Sequence, residues 1–146
     1  MKAHINTKAA RPLALLYGLP ESTDAGRGVR AALEEQGFAA NEIAPEQLLQ
    51  PVGALAGMGG KAAPLYSGEA PQAQLLLMSN FTSPQLNALL DALREAGVHV
   101  PLKAVVTKHN KTWSVLALLE ELQREREATR RFENAPPQGP KQEGET

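Results

Sequence analysis

Residues 74–107 read "QLLLMSNFTSPQLNALLDALREAGVHVPLKAVVT", and this stretch decides the fold. It opens with a continuous apolar run at 74–81, which is typical of a strand buried on both faces. Ser83 as an N-cap and Pro84 at the first helical position predict the start of a helix. Leucines follow at helical spacing until a glycine ends the pattern, and 101–107 form a second apolar run. The stretch therefore predicts a strand–helix–strand unit with two parallel strands.

The first half of the chain shows the same order of elements. An apolar run at 12–19 predicts a strand, and Thr23 or Asp24 can cap the helix that follows. Gly37 ends that helix, and 38–44 form a weaker strand. A short helical piece and a glycine-rich loop come next. After the last strand, a further helix is expected.

The two halves resemble each other in sequence as well as in pattern. Residues recur at an offset of 60: Leu15, Leu33 and Gly37 reappear as Leu75, Leu93 and Gly97. We expect an α/β fold in which two βαβ-type halves form a roughly four-stranded sheet covered by helices. The predicted boundaries are a flexible arm at 1–11, a single domain at 12–131 with pseudo-repeat halves at 12–60 and 74–131, a linker at 61–73, and a disordered tail at 132–146.

The composition restricts the chemistry of the protein. The chain has no cysteine, which excludes disulfides, thiolate catalysis and cysteine-ligated metal centres. Its net charge of −1 provides no field that would attract nucleic acid. No stretch approaches the ~20 apolar residues that a membrane span needs. We therefore expect a cytoplasmic protein that does not bind membranes.

Two glycine-rich segments resemble phosphate-binding motifs but lack required positions. The G-x-G-x-x-A pattern at 26–31 lies well beyond the end of the preceding strand, where the dinucleotide fingerprint needs its first glycine. The "GMGGK" segment at 57–61 lacks both the early glycine and the following Ser or Thr of a P-loop. The histidines show no metal-ligand spacing. These residues predict no catalytic group, metal or cofactor.

A cluster of polar residues follows the last strand. Thr107, Lys108, His109 and Asn110 precede Trp113, the only tryptophan. Thr112 is predicted to cap the last helix, which runs to about residue 131. We expect the Trp113 ring to lie against the sheet and pin this helix, so that Trp113→Ala costs roughly 3–5 kcal/mol.

The ends of the strands are the place where a ligand would be expected. In parallel α/β sheets, ligands bind beyond the carboxyl ends of the strands. In this chain these ends are predicted at Gly18-Leu19, Pro45, Ser79-Asn80 and 107–110. If the protein binds a small ligand, the expected partners are Asn80, Lys108 and Asn110, with Gln50, Thr107 and His109 at the same edge. The alternative is that Asn80 and Asn110 only cap loops.

Three segments carry a resemblance to a known family. They are "QPVGALAG" at 50–57, residues 75–98, and "PLKAVVTKHNKTW" at 101–113. Over about residues 13–128 the chain resembles a small family of uncharacterised bacterial proteins catalogued as domain of unknown function 3783. The family pattern falls on Gln50, Pro51, Gly53, Lys103, Thr107, Asn110 and Trp113, while Lys108 stands where the family has proline. The resemblance supports the fold boundaries and implies no activity.

The sequence favours a non-catalytic binding or regulatory module that acts through a protein partner or as a homodimer. The first alternative is a small-ligand or anion-binding protein, or an enzyme of unusual type, with its site at the carboxyl ends of the strands. The second is an RNA-binding accessory domain, which rests on Lys103, Lys108 and Lys111 and lacks an exposed aromatic pair for stacking bases. The sequence identifies neither ligand nor partner.

Overall fold

The structure, a computed structural model, describes residues 11–134. Strands and helices alternate along this range: β1 Leu13–Tyr17, α1 Asp24–Glu35, β2 Ala39–Glu42, α2 Val52–Leu55, β3 Leu75–Ser79, α3 Ser83–Glu95, β4 Leu102–Val105 and α4 Val115–Asn134, with a 3₁₀ turn at Pro45–Gln47. The mixed α/β class and the four-stranded sheet predicted from the sequence are confirmed. None of the described helices is long and apolar enough to cross a membrane.

The sheet has the strand order β2-β1-β3-β4. The pairs β1–β2 and β3–β4 are parallel, as the strand–helix–strand pattern predicts. The central pair β1–β3 is antiparallel, with Leu15 opposite Leu77. The carboxyl ends of β1 and β2 therefore lie at one edge of the sheet, and those of β3 and β4 lie at the opposite edge.

The path between β2 and β3 explains this antiparallel pair. After the 3₁₀ turn the chain crosses one face of the sheet, and the amide of Val52 donates to the carbonyl of Trp113 (2.8 Å), beyond the carboxyl end of β4. Residues 61–73 then bring the chain back, so that the Tyr17 hydroxyl donates to the Pro71 carbonyl (2.8 Å). Because the chain crosses the face twice, β3 starts at the edge where β2 ended.

Helices and loops cover both faces of the sheet. Side chains of β3 alternate between two apolar clusters: Leu75 and Leu77 face α2, α4 and residues 61–73, whereas Leu76 and Met78 face α1 and α3. Every residue of β3 is buried. This burial on both faces explains the continuous apolar runs of the two central strands. In contrast, β2 is an exposed edge strand.

The helix caps differ from two of the predictions. Thr23 caps α1, as one of the two proposed residues, and accepts from the Gly26 amide (3.0 Å). The prediction of Ser83 as a cap is wrong, because Gln85 closes a capping box on Thr82. The prediction of Thr112 is also wrong, since the Ser114 hydroxyl accepts from Ala117 (3.0 Å). The turn before α4 continues two residues further than the sequence suggests.

The ends of the chain lie mostly outside the described residues. The arm predicted at 1–11 falls outside them except for Arg11, and so does most of the tail predicted at 132–146. Helix α4 continues to Asn134, beyond its predicted end near residue 131.

Candidate functional site

The predicted ligand residues are only partly brought together. Asn80 follows β3 and the turn at 107–110 follows β4, so both lie at the same edge of the sheet. Gly18-Leu19 and Pro45 lie at the opposite edge, because β1 runs antiparallel to β3. The expectation that all four strand ends meet at one edge is therefore wrong.

The turn at 107–110 is held by its own side chains. The Asn110 side chain accepts from the Thr107 amide (2.9 Å) and donates to the Val105 carbonyl (3.0 Å). The Thr107 hydroxyl accepts from the amides of His109 (3.2 Å) and Asn110 (3.1 Å). Both ends of the Asn110 amide are thus engaged within the turn, which is the geometry of a loop cap.

The neighbours of this turn also make internal contacts. The edge of the His109 ring packs on Trp113, with ring centroids 5.3 Å apart, and Lys108 is exposed. Asn80 has a positive φ of 65° and donates through its side chain to the Arg11 carbonyl (3.4 Å). Gln50 points elsewhere and pairs with Ala63 through both ends of its amide (2.7 and 3.1 Å). These two hydrogen bonds hold the linker at Ala63 against the segment that contains Gln50.

The segment that begins at Gln50 lies against the segment between β4 and α4. The amide of Gly53 donates to the carbonyl of Lys111 (2.8 Å), and the amide of Val115 donates to the carbonyl of Gln50 (3.1 Å). A Cβ atom on Gly53 would lie 3.0 Å from the Lys111 carbonyl oxygen, so this close approach favours glycine. Trp113 is partly buried against the cluster on the same face. These positions have a structural explanation without a ligand.

A large open cavity lies at the opposite edge of the sheet. It is a cleft of about 1040 Å³ between the carboxyl ends of β1 and β2, the amino ends of β3 and β4, and the second half of α4. We call it the strand-end cleft. Its floor is apolar and includes buried side chains from three strands or their ends: Leu16, Tyr17, Leu19, Ile43 and Leu102.

Tyr17 contributes its ring to this floor. Its hydroxyl is held by the hydrogen bond to the Pro71 carbonyl (2.8 Å). Burial, with a smaller contribution from Tyr66, raises the pKa of Tyr17 above its usual value. The side chain therefore stays neutral and acts as a fixed hydrogen-bond donor within the protein.

Prolines form much of the rim of the strand-end cleft. One proline lies near this edge on each of the four strands: Pro20 after β1, Pro45 after β2, Pro71 before β3 and Pro101 before β4. Proline fixes φ and carries no amide donor. The rim is therefore stiff at these points and presents few unpaired amides to an apolar ligand.

One face of α4 forms the polar wall of the cleft. Gln123, Arg126, Glu127 and Arg130 line it at positions i, i+3, i+4 and i+7, a single helical stripe. From Gln123 to Arg131 the helix is exposed, so this part extends beyond the apolar clusters. The wall carries charge while the floor does not.

Glu42 supplies a second charged group from the opposite wall. Its carboxylate accepts from the Arg30 guanidinium (2.8 Å), and Arg30 also donates to the Leu19 carbonyl (2.9 Å). On α4, Glu127 pairs with Arg130 at 3.4 Å. Among the side chains of residues 11–131, no carboxylate lies within ion-pair distance of Arg126.

The strand-end cleft was not predicted from the sequence. The only sequence feature that marks the cleft is the position of its rim prolines, which follow the first two strands and precede the last two. These positions coincide in space only when β1 and β3 are antiparallel, which the strand pattern does not reveal. No group of three metal-ligating side chains occurs within the described part of the chain.

The fold and the cleft define an open-sheet α/β domain with helices on both faces. Residues 74–129 match the model of the family described as Domain of unknown function (DUF3783). The match spans β3, α3, β4 and most of α4, and it confirms the resemblance over that range. No curated protein and no solved structure matches the chain.

Proposed function

We propose that this domain is a non-catalytic binding module that holds a small ligand in the strand-end cleft. The cleft itself carries the proposal: its volume of about 1040 Å³ is at the upper end of the range of small-molecule sites. It also lies beyond the carboxyl ends of two adjacent parallel strands, a position where α/β folds bind ligands. An apolar floor with a few polar groups on the walls is typical of such sites.

The side chains of the cleft favour binding over catalysis. Its lining, all within the described residues, contains no serine, threonine, histidine or lysine side chain that could act as a nucleophile or base. The Tyr17 hydroxyl is engaged by Pro71, and the Glu42 carboxylate is held by Arg30. A general base needs a free proton-accepting group beside the substrate.

The two other readings of the sequence receive less support. Among the described residues, Leu65 is a large apolar side chain with high exposure (74%), but single exposed apolar residues are common on protein surfaces. For RNA binding, the Lys103 ammonium group donates to the Val100 carbonyl (2.9 Å) and is engaged within the chain. Of the three lysines on which RNA binding rests, this leaves two, Lys108 and Lys111, both exposed.

The test fills the cleft with a bulky side chain. Ala44 lines the cleft, so Ala44→Trp should occupy much of the ligand volume, whereas Ala31→Trp adds the same group at an exposed position on α1. The unmodified chain and both variants are screened by thermal shift against metabolites. A ligand at 100 times its Kd adds about 2.7 kcal/mol of stability.

The expected result is a set of compounds that raise the melting temperature of the unmodified chain and of Ala31→Trp, but not of Ala44→Trp. Far-UV circular dichroism confirms that both variants fold. Compounds that stabilise Ala44→Trp as strongly as the unmodified chain would show that the ligand binds elsewhere and would overturn the proposal.

A further inference from the structure

We propose that the ligand of the strand-end cleft is an organic anion with an apolar body, whose anionic group is bound by Arg126 and Arg130. This inference rests on the proposed function and adds the chemical class of the ligand. The apolar body would lie on the floor at Tyr17, Leu19 and Leu102. The anionic group would meet the wall formed by α4.

The spacing of the two arginines suits a single anion. Arg126 and Arg130 are four residues apart on a helix, so they lie one turn apart on the face that lines the cleft. Each guanidinium presents several N–H donors in a plane, which matches the oxygens of a carboxylate or phosphate. Both side chains are exposed and can turn toward a ligand.

The charges of the cleft lining balance, but their pairing leaves one cation without a carboxylate. The lining carries two guanidinium groups, Arg126 and Arg130, and two carboxylates, Glu42 and Glu127. The Glu42 carboxylate is held by Arg30, which lies outside the lining, and the Glu127 carboxylate pairs with Arg130. Among residues 11–131, Arg126 has no carboxylate within ion-pair distance, so its guanidinium is the one most available to an anion.

The low-polarity floor strengthens the attraction at this wall. Leu19 and Leu102 are almost completely buried, and prolines surround them at the rim. A ligand lying on this surface displaces water from one side of the anion, and charges interact more strongly where water is excluded. An apolar compound without the anionic group would use the floor but not the wall.

Two fluorescent probes that differ in one group separate these contributions. Anilinonaphthalene sulfonate carries an apolar body and an anionic sulfonate, and phenylnaphthylamine is its neutral counterpart. Both gain fluorescence when they enter an apolar site. Their dissociation constants are measured for the unmodified chain, for Arg126→Gln/Arg130→Gln, and for the control Arg124→Gln/Arg131→Gln. The control removes the same charge from the same exposed helix, at positions that do not line the cleft.

For the anionic probe, the Kd should rise about tenfold in Arg126→Gln/Arg130→Gln, because each exposed charged contact contributes about three- to fivefold. The control variant should change it by less than about twofold. The neutral probe should bind all three proteins equally. Added salt should weaken the anionic probe alone, because salt screens exposed charges.

The outcomes distinguish the inference from the proposed function. An anionic probe that binds both arginine variants equally, while Ala44→Trp blocks both probes, would overturn the assignment of Arg126 and Arg130 and leave the cleft as the site. Equal binding of both probes to Ala44→Trp and to the unmodified chain would overturn the proposed function itself. Circular dichroism at the helix band confirms that α4 is unchanged in the glutamine variants.

Discussion

Gly18→Ala should be among the most destabilising substitutions of a small residue in this domain. Gly18 directly follows β1 and adopts a φ of +70°. A Cβ atom at this position would lie 1.8 Å from the carbonyl oxygen of Ala73, a main-chain atom that a rotamer change cannot move. The substitution therefore requires a displacement of the chain that enters β3.

The magnitude follows from two separable costs. An alanine in the left-handed region costs roughly 1–2 kcal/mol. Overpacking against neighbours that must shift costs a further ~1–3 kcal/mol. Gly37 isolates the first cost, since its φ is +80° and a Cβ atom would meet nothing within 4 Å. We expect Gly18→Ala to lower the free energy of unfolding by about 3–4 kcal/mol, and Gly37→Ala by about 1 kcal/mol.

Urea denaturation of the two variants, followed by circular dichroism, measures this difference. The midpoint should fall further for Gly18→Ala than for Gly37→Ala, with similar slopes, since the surface exposed on unfolding is unchanged. Equal losses of the free energy of unfolding in the two variants would refute a close approach of Gly18 to Ala73. The contact between Gly18 and the chain before β3 would then be looser than described.

Three further predictions concern the other face and the last helix. Trp113→Ala should cost about 2–4 kcal/mol in urea denaturation, less than full burial would imply, because the ring is only partly buried; a near-neutral variant would contradict its packing role. Gln50→Ala removes both hydrogen bonds to Ala63, so it should lower the free energy of unfolding by about 1–2 kcal/mol. It should also speed hydrogen exchange at the Ala63 amide, and an unchanged exchange rate would show that Gln50 does not hold the linker in place. The hydrogen bond from Arg124 lowers the pKa of Glu121 below its usual value, so this exposed pair stabilises the fold slightly where a free carboxyl is ionised and ceases to do so as the pH falls through the lowered pKa. Arg124→Gln should accordingly reduce stability slightly at neutral pH and not in strong acid, as urea denaturation at several pH values would show.

The local elements were predictable because their signals are local. Apolar runs marked β1 and β3, leucine spacing marked α3, and glycines marked the ends of α1 and α3. The direction of β3 relative to β1 was not predictable. All five residues of "LLLMS" are buried, on both faces of the strand. A continuous apolar run has the same hydrophobic pattern in either chain direction, so it does not indicate whether β3 is parallel or antiparallel to β1. That direction depends on residues 45–73, which have no regular period.

For the candidate site, too, the local part was predictable from the sequence and the part that depends on strand direction was not. Thr107, Lys108, His109 and Asn110 do share an edge with Asn80, as predicted from the strand ends. The strand-end cleft was missed because it combines ends of different kinds, the carboxyl ends of one half and the amino ends of the other. The stripe on α4 gave no signal in the sequence, since charged residues at helical spacing form an ordinary solvated face in most proteins.

The antiparallel junction between β1 and β3 has a consequence for the family segment alone. A chain containing only residues 74–129 would leave one edge of the fully buried strand β3 without its partner. In the full chain, Leu77 at the centre of β3 pairs with Leu15 at the centre of β1. The first half of the chain therefore supplies, through β1, the strand that covers this edge of β3.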